Sequence, residues 1–231
     1  GRIQQELKKL EEEEGEYDRI WKGHDITLDA VQCSVWVVND KDLSHAGAEV
    51  VERRAVGLGV REEKYVRQWG EKGSGDGQFR GPNGICVSKG NGSGDGEGES
   101  GEVFVCDTWN RRVQVFDRES NVFLRQWGSE GSGDGQFKRT HDIEIHYGGA
   151  DGEGAEVYVT EYDNHRVQVF DLQGNFLRKW GSKGSGDGQF KNPGGISVGD
   201  STEGKVEVYV CDKNNNRIQV FDQRGNFLRK W

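Results

Sequence analysis

Three identical heptapeptides are the first stretches with a chemical reading. Gly-Ser-Gly-Asp-Gly-Gln-Phe occurs at Gly73–Phe79, Gly131–Phe137 and Gly184–Phe190. A Gly-rich loop can cradle a phosphate with its backbone N–H groups. Phosphate loops feed a helix and carry a Lys-Ser/Thr pair; these loops lie between strands and carry no such pair. They read instead as turns, with Asp accepting backbone hydrogen bonds and Phe plugging an interface.

A second recurrent set is Asp-x-x-Asn-x-Arg: Asp107, Asn110, Arg112; Glu161, Asn164, Arg166; Asp212, Asn215, Arg217. A carboxylate and an arginine five residues apart can pair across a hairpin, and Asn suits the turn between them. A pattern present in every copy is a scaffold pattern; a binding function falls on positions that differ. Those positions are Trp109, Arg111, Tyr162, His165, Lys213 and Asn216, with Arg80, Arg139, His141 and Asn192 just after the heptapeptide. Trp, Tyr and Arg anchor protein interfaces and can also stack on single-stranded bases. These ten residues form the candidate binding surface.

Other chemistry is thinner. The oxygen-rich run from Asn91 to Glu102 has a spacing similar to a calcium loop. It lacks flanking helices, and Gly98 stands where an apolar residue belongs, so it reads as a solvated acidic loop. His24, His45, His141, His146 and His165 include no His-x-x-x-His pair, and no nucleophile stands beside a base. No catalytic residue, metal site or cofactor is assigned. Cys33, Cys86, Cys106 and Cys211 include no Cys-x-x-Cys, which argues against zinc and against a dense disulfide framework. Cys106 and Cys211 share one repeat position, where the middle copy has Thr160, and are expected to be buried thiols near the centre of the fold.

The elements that must position these residues are short strands. Each clear repeat holds four: Gly84–Ser88, Val103–Cys106, Arg112–Phe116 and Val122–Trp127; then Asp142–His146, Val157–Thr160, Arg166–Phe170 and Phe176–Trp180; then Gly195–Val198, Val206–Cys211, Arg217–Phe221 and Phe227–Trp231. In Arg112–Phe116 the two Val point one way and Gln114 and Phe116 the other. A sheet with two usable apolar faces belongs between two neighbouring sheets, as in a propeller blade. Asp171–Asn175 and Asp222–Asn226 are turns with Gly available for a positive φ. The reading is all-β: a propeller of four-stranded antiparallel blades, with repeats at 70–127, 128–180 and 181–231 and a degenerate one at 24–69. Residues 1–20, with Ile3, Leu7 and Leu10 in helical spacing ahead of Glu11–Glu14, are expected to be a short charged helix or tail outside the 21–231 propeller.

Bulk properties agree. Only 32% of the 231 residues are hydrophobic and 36 are Gly, which suits many short strands and Gly-rich turns. The net charge of −9 argues against a nucleic-acid or anionic-membrane partner, although one face can still be basic. No apolar run reaches membrane-span length and no signal-peptide pattern opens the chain, so the cytoplasm is the default expectation. Phe227–Trp231 ends the sequence where earlier copies continue into a Gly-rich loop, which leads to the expectation of an incomplete ring.

The succession Gly-Ile-x-Val, Val-Tyr-Val-x-Asp, Asn-x-Arg-Ile-Gln-Val-Phe-Asp-x-x-Gly-Asn-Phe-Leu-Arg-x-Trp-Gly and Gly-Ser-Gly-Asp-Gly-Gln-Phe resembles the NHL repeat family. The resemblance runs from about Tyr65 to Trp231, with a weak copy at 24–69. It implies a β-propeller, commonly six-bladed, of which about four blades are present. Animal relatives that this resembles join the propeller to RING, B-box and coiled-coil segments and act in ubiquitin ligation. The resemblance therefore implies a non-catalytic module that recognises a protein partner, with any ligase activity outside this chain. Two alternatives stay open: an RNA-binding propeller, and a lyase-like enzyme around a central metal. No small-molecule substrate is evident.

Overall fold

The computed structural model describes residues 26–29, 34–38, 48–56, 60–90, 101–148, 154–201 and 204–231, with side chains from 68 onward. The expected helix at 1–20, the acidic run 91–100, Cys33, His24 and His45 lie outside the described residues.

Four antiparallel four-stranded sheets follow one another along the chain. Blade I is built from Ile26–Asp29, Ser34–Val38, Ala48–Val56 and Val60–Trp69. Blade II has Pro82–Val87, Glu102–Asp107, Arg112–Asp117 and Phe123–Trp127. Blade III has Thr140–Tyr147, Ala155–Glu161, Arg166–Asp171 and Phe176–Trp180, and blade IV has Pro193–Asp200, Val206–Asp212, Arg217–Asp222 and Phe227–Lys230. First strands of successive blades touch one another, so they are the innermost.

Alternation along each strand gives every blade a backward and a forward face. Val103 and Val105 of blade II face back, beside Phe79, Ile85 and Phe116. Phe104, Cys106, Val113 and Val115 face forward and pack with Phe137, Ile143, Val157, Val159 and Phe170 of the next seam. Tyr158, Val167 and Val169 of blade III repeat the arrangement against Phe190, Ile196, Val208, Val210 and Phe221. Val/Phe alternation thus loads both faces of one sheet. The heptapeptide Phe is the plug: Phe79, Phe137 and Phe190 are fully buried, and each contributes about 1.5–3 kcal/mol by leaving water.

Polar side chains close the same seams. Gln78, Gln136 and Gln189 accept the N–H of Gly75, Gly133 and Gly186 within their own loops. Gln114, Gln168 and Gln219, buried on the third strands, accept from Gly77, Gly135 and Gly188 at 3.0 Å. The expected acceptor was the loop Asp. Asp134 and Asp187 instead point outward to Lys179 and Lys230 of the fourth strands. The amide side chain wins because it donates and accepts at once: Gln168 also gives its Nε2 protons to the Gln136 carbonyl and Glu161.

Cys106 is buried as expected, but Cys211 is exposed. Its side chain takes the forward-facing position of Cys106, on the face of blade IV against which no further sheet packs among the described residues.

Candidate binding face

The loops after each heptapeptide and the turns between second and third strands share one face. Asp107, Glu161 and Asp212 organise it. Arg112 donates to Asp107 at 2.7 Å and Arg217 to Asp212 at 2.7 Å, while Arg166 holds Glu161. Asn110, Asn164 and Asn215 bridge the same carboxylates to the carbonyls of Gly73, Gly131 and Gly184. The Arg–carboxylate pairing expected from spacing is present in all three copies, as a charge-assisted contact buried at the seam. Asn serves here as a bridge. The left-handed position is the next residue: Arg111, His165 and Asn216, with φ of 57°, 54° and 52°.

Blade III departs from its neighbours at this point. In blades II and IV the residue after the plug accepts from the turn: Trp109 N–H to the Arg80 carbonyl and Asn214 N–H to the Lys191 carbonyl, both 3.0 Å. In blade III both ends shift by one: the donor is Tyr162, directly after the seam carboxylate, and the acceptor is the carbonyl of Arg139, the second residue after the plug, at 2.9 Å. Glu161, one methylene longer than Asp107 and Asp212, is the seam carboxylate there. Gly81 and Asn192 have φ of 60° and 56°, whereas Arg139, at their position, is not left-handed. The first strand then resumes the common register, Thr140 opposite Glu161 as Pro82 opposes Asp107.

The shift sets Arg139 between two rings. Its guanidinium carbon lies 5.0 Å from the Trp109 centroid and 4.7 Å from that of Tyr162. His141 stacks on Tyr162 at 5.9 Å with a 17° interplanar angle, and the Lys213 ammonium is 5.7 Å from the same ring. Trp109 is 46% exposed. Its seat depends on Gly81, where a Cβ would stand 2.2 Å from the indole. Burial, then Lys213 and Arg139, pull the His141 pKa down to about 4. The imidazole is therefore neutral in the stack, where a third cation would be repelled.

Five of the ten sequence-derived candidates thus meet: Trp109, Arg139, Tyr162, His141 and Lys213. The others do different work. Asn192 ties the turns, donating its N–H to His165 Nδ1 and its amide to the Tyr162 carbonyl, both 3.0 Å, while accepting from Asn214 at 2.9 Å. Arg111 donates to the Trp109 carbonyl at 2.8 Å and pairs with Glu130 at 3.3 Å. Arg80 supports the turn through its backbone, its N–H reaching Asp107 at 2.7 Å, and Asn216 is an exposed left-handed cap. Sequence reasoning missed Gly81 and a cleft of about 550 Å³ whose lining includes Lys138 and Asp163, the chain neighbours of Arg139 and Tyr162, with Lys183 and His165. The Glu161-for-Asp exchange was the visible signal for the shifted turn.

The three described histidines do not converge. His141 is in the stack, His146 pairs with Asp200 at 3.3 Å, and His165 holds Asn192. Among the described residues no three His, Cys, Asp or Glu side chains form a metal-ligand group, and no helix is long and apolar enough to cross a membrane.

Four-stranded antiparallel sheets stacked face to face around adjacent first strands define a β-propeller. No protein-family model matches the chain. Curated relatives do. It is 30% identical over 168 residues to Protein brain tumor of Drosophila melanogaster, covering 72% of this chain and 14% of that protein. It is 34% identical over 168 residues to B-box type zinc finger protein ncl-1 of Caenorhabditis elegans, covering 72% and 17%. RING finger protein nhl-1 of the same worm is 41% identical over 69 residues, 30% of this chain and 6% of that protein. Among solved structures, an auxiliary nutrient binding protein from Bacteroides thetaiotaomicron superposes with a TM-score of 0.56 at 15% identity, over 88% of this chain and 45% of that one, a likeness of fold alone. The chain belongs with the NHL-repeat β-propellers, and its relatives are TRIM–NHL proteins. It spans under a fifth of the length of the relatives it matches.

Proposed function

We propose that this chain is the recognition module of a larger TRIM–NHL-like protein and binds a protein partner through the Trp109 face. The observation that carries the reading is the stack of Trp109, Arg139 and Tyr162 across the seam between blades II and III. Half-exposed Trp, Tyr and Arg held rigidly in one patch are the residue types and the pre-organisation of interface hot spots. Every repeated polar group on this face is already held by the scaffold, while the residues that differ between repeats gather in the patch.

The names of two relatives, a B-box type zinc finger protein and a RING finger protein, support a modular reading in which ligase chemistry lies elsewhere in the polypeptide. Cys86, Cys106 and Cys211, thiols rather than disulfides, suit a cytoplasmic setting.

Capture from nuclease-treated cell extract by the immobilised chain tests this. Trp109→Ala and Tyr162→Ala are expected to lose the bound proteins, whereas Leu177→Ala on the outer strand keeps them. An unchanged set of captured proteins with Trp109→Ala overturns the reading, and a set that disappears with nuclease points to RNA.

A further inference from the structure

Arg139 differs from the arginines built into the repeats. Arg112, Arg166 and Arg217 are held by Asp107, Glu161 and Asp212; Arg125, Arg178 and Arg229 by Glu102, Glu156 and Glu207. Arg139 has two aromatic rings instead. Its Nε is buried with no acceptor. A guanidinium drawn out of water without a carboxylate is a costly arrangement and calls for an anion.

The rings also decide which anion carrier fits. Trp109 and Tyr162 both lie within cation–π reach of the guanidinium, and His141 and Lys213 lie against Tyr162 as well. Base stacking needs free ring faces, and Tyr162 already carries three neighbours, Arg139, His141 and Lys213. The N–H donors of Arg139 meet no carboxylate among the described residues, and their fork matches a carboxylate or phosphoryl group. The surroundings extend the positive field: Lys213 beside the stack, and Lys138 and Lys183 in the adjoining cleft with Asp163. This is a local reversal of a chain whose net charge is −9.

Resting on the protein-recognition reading above, we propose that the Arg139 edge is an oxyanion seat, which takes an acidic side chain of the partner: aspartate, glutamate or a phosphorylated residue. The two rings hold the guanidinium in place and its edge selects the charge. Lys213, Lys138 and Lys183 steer an acidic segment toward it.

Fluorescence anisotropy tests the seat on this same chain, with four labelled probes: a short Glu-rich peptide, its Gln counterpart, a phosphoserine version and a single-stranded RNA of random sequence. The Glu or phosphoserine peptide is expected to bind, more weakly as salt rises, and the Gln peptide not to bind. Arg139→Gln should weaken binding about tenfold or more, as for loss of a charge-assisted bond. Arg139→Lys should fall between the two, because it keeps the charge and loses the fork. Arg224→Gln, on a turn at the opposite face, should bind like the parent. The Glu and phosphoserine arms separate the two sources of oxyanion. Unchanged melting of Arg139→Gln confirms that the fold is intact.

Failure of both acidic peptides to bind, or equal binding by Arg139→Gln, overturns the seat; so does Arg139-dependent binding of the RNA alone. If extract proteins are lost with Trp109→Ala but kept with Arg139→Gln, the recognition face stands and only the oxyanion seat fails.

Discussion

The indole of Trp127 lies against Gly174 of the following blade, where an added Cβ would stand 2.5 Å from the ring. Trp180 meets Gly225 in the same way at 2.6 Å. The outer strands of blades II and III therefore end on the next blade's hairpin, and those hairpins keep a hydrogen atom where any side chain would collide.

Gly174→Ala is the sharpest test of this clasp. The position has a φ of +87°, so alanine carries both a left-handed backbone and the clash with Trp127. The expected loss is about 2–4 kcal/mol, read as a shifted denaturation midpoint. Gly199→Ala, with open space around its Cβ, should be close to neutral.

Equivalent arginines should differ in worth from blade to blade. Arg178 grips Glu156 with two bonds of 2.6 Å and donates to the Gln223 carbonyl of the next blade at 3.0 Å. Truncating it to Ala strands a buried carboxylate and is expected to cost about 3–5 kcal/mol. Arg229 grips Glu207 alike, at 2.8 and 2.7 Å, but in an exposed position. Arg229→Ala should leave the melting temperature nearly unchanged. Equal effects of the two substitutions would show that the seam adds nothing.

The left-handed turn positions predict different outcomes for two Asn substitutions. Asn216 tolerates its φ of 52° and His165, less readily, its 54°, while Arg111 carries the strain of a bulky residue at 57°. Arg111→Asn should raise stability by about 0.5–1 kcal/mol, after the loss of an exposed ion pair to Glu130 and an exposed bond to the Trp109 carbonyl. His165→Asn relieves less strain and removes the acceptor of the Asn192 N–H, so its net effect should be near zero. Denaturant titration of the two variants decides it.

His141 should impose a pH dependence. Folded, its pKa is lowered to about 4, from an ordinary value of 6.5, by burial first and then by Lys213 and Arg139. Between those values the unfolded chain holds more protons, so stability falls as pH drops through the window and is fully present above it. The contribution is on the order of 2 kcal/mol. His141→Asn, the residue that blade II has as Asn83, should flatten the slope between about pH 7 and pH 4.5. An identical slope in the variant would place the titration elsewhere.

Periodicity made the scaffold readable. The Phe plugs, the Val alternation and the Arg112–Asp107 type of pair recur at short separations, so one copy explains the others. The loop Asp was misassigned because spacing alone does not separate it from the neighbouring Gln, whose amide can donate as well as accept. Cys211 shares its repeat position with buried Cys106, yet its exposure depends on what lies across the sheet, which no local pattern records. The Trp109–Arg139–Tyr162 stack was legible only as a set of variable positions. Its geometry comes from a turn bond displaced by one residue beside Glu161, a tertiary adjustment between segments far apart in sequence.

The Trp-on-Gly clasp also gives the chain a direction in time. Trp127 finds its glycine 47 positions later, and Trp180 finds Gly225 after 45. During synthesis each finished blade must present its forward aromatic surface to water until roughly another 50 residues have emerged, on the order of seconds at ribosomal speeds. The nascent seam is therefore the moment of greatest exposure to misassembly, and the order of blades in the sequence is also the order in which that exposure is relieved.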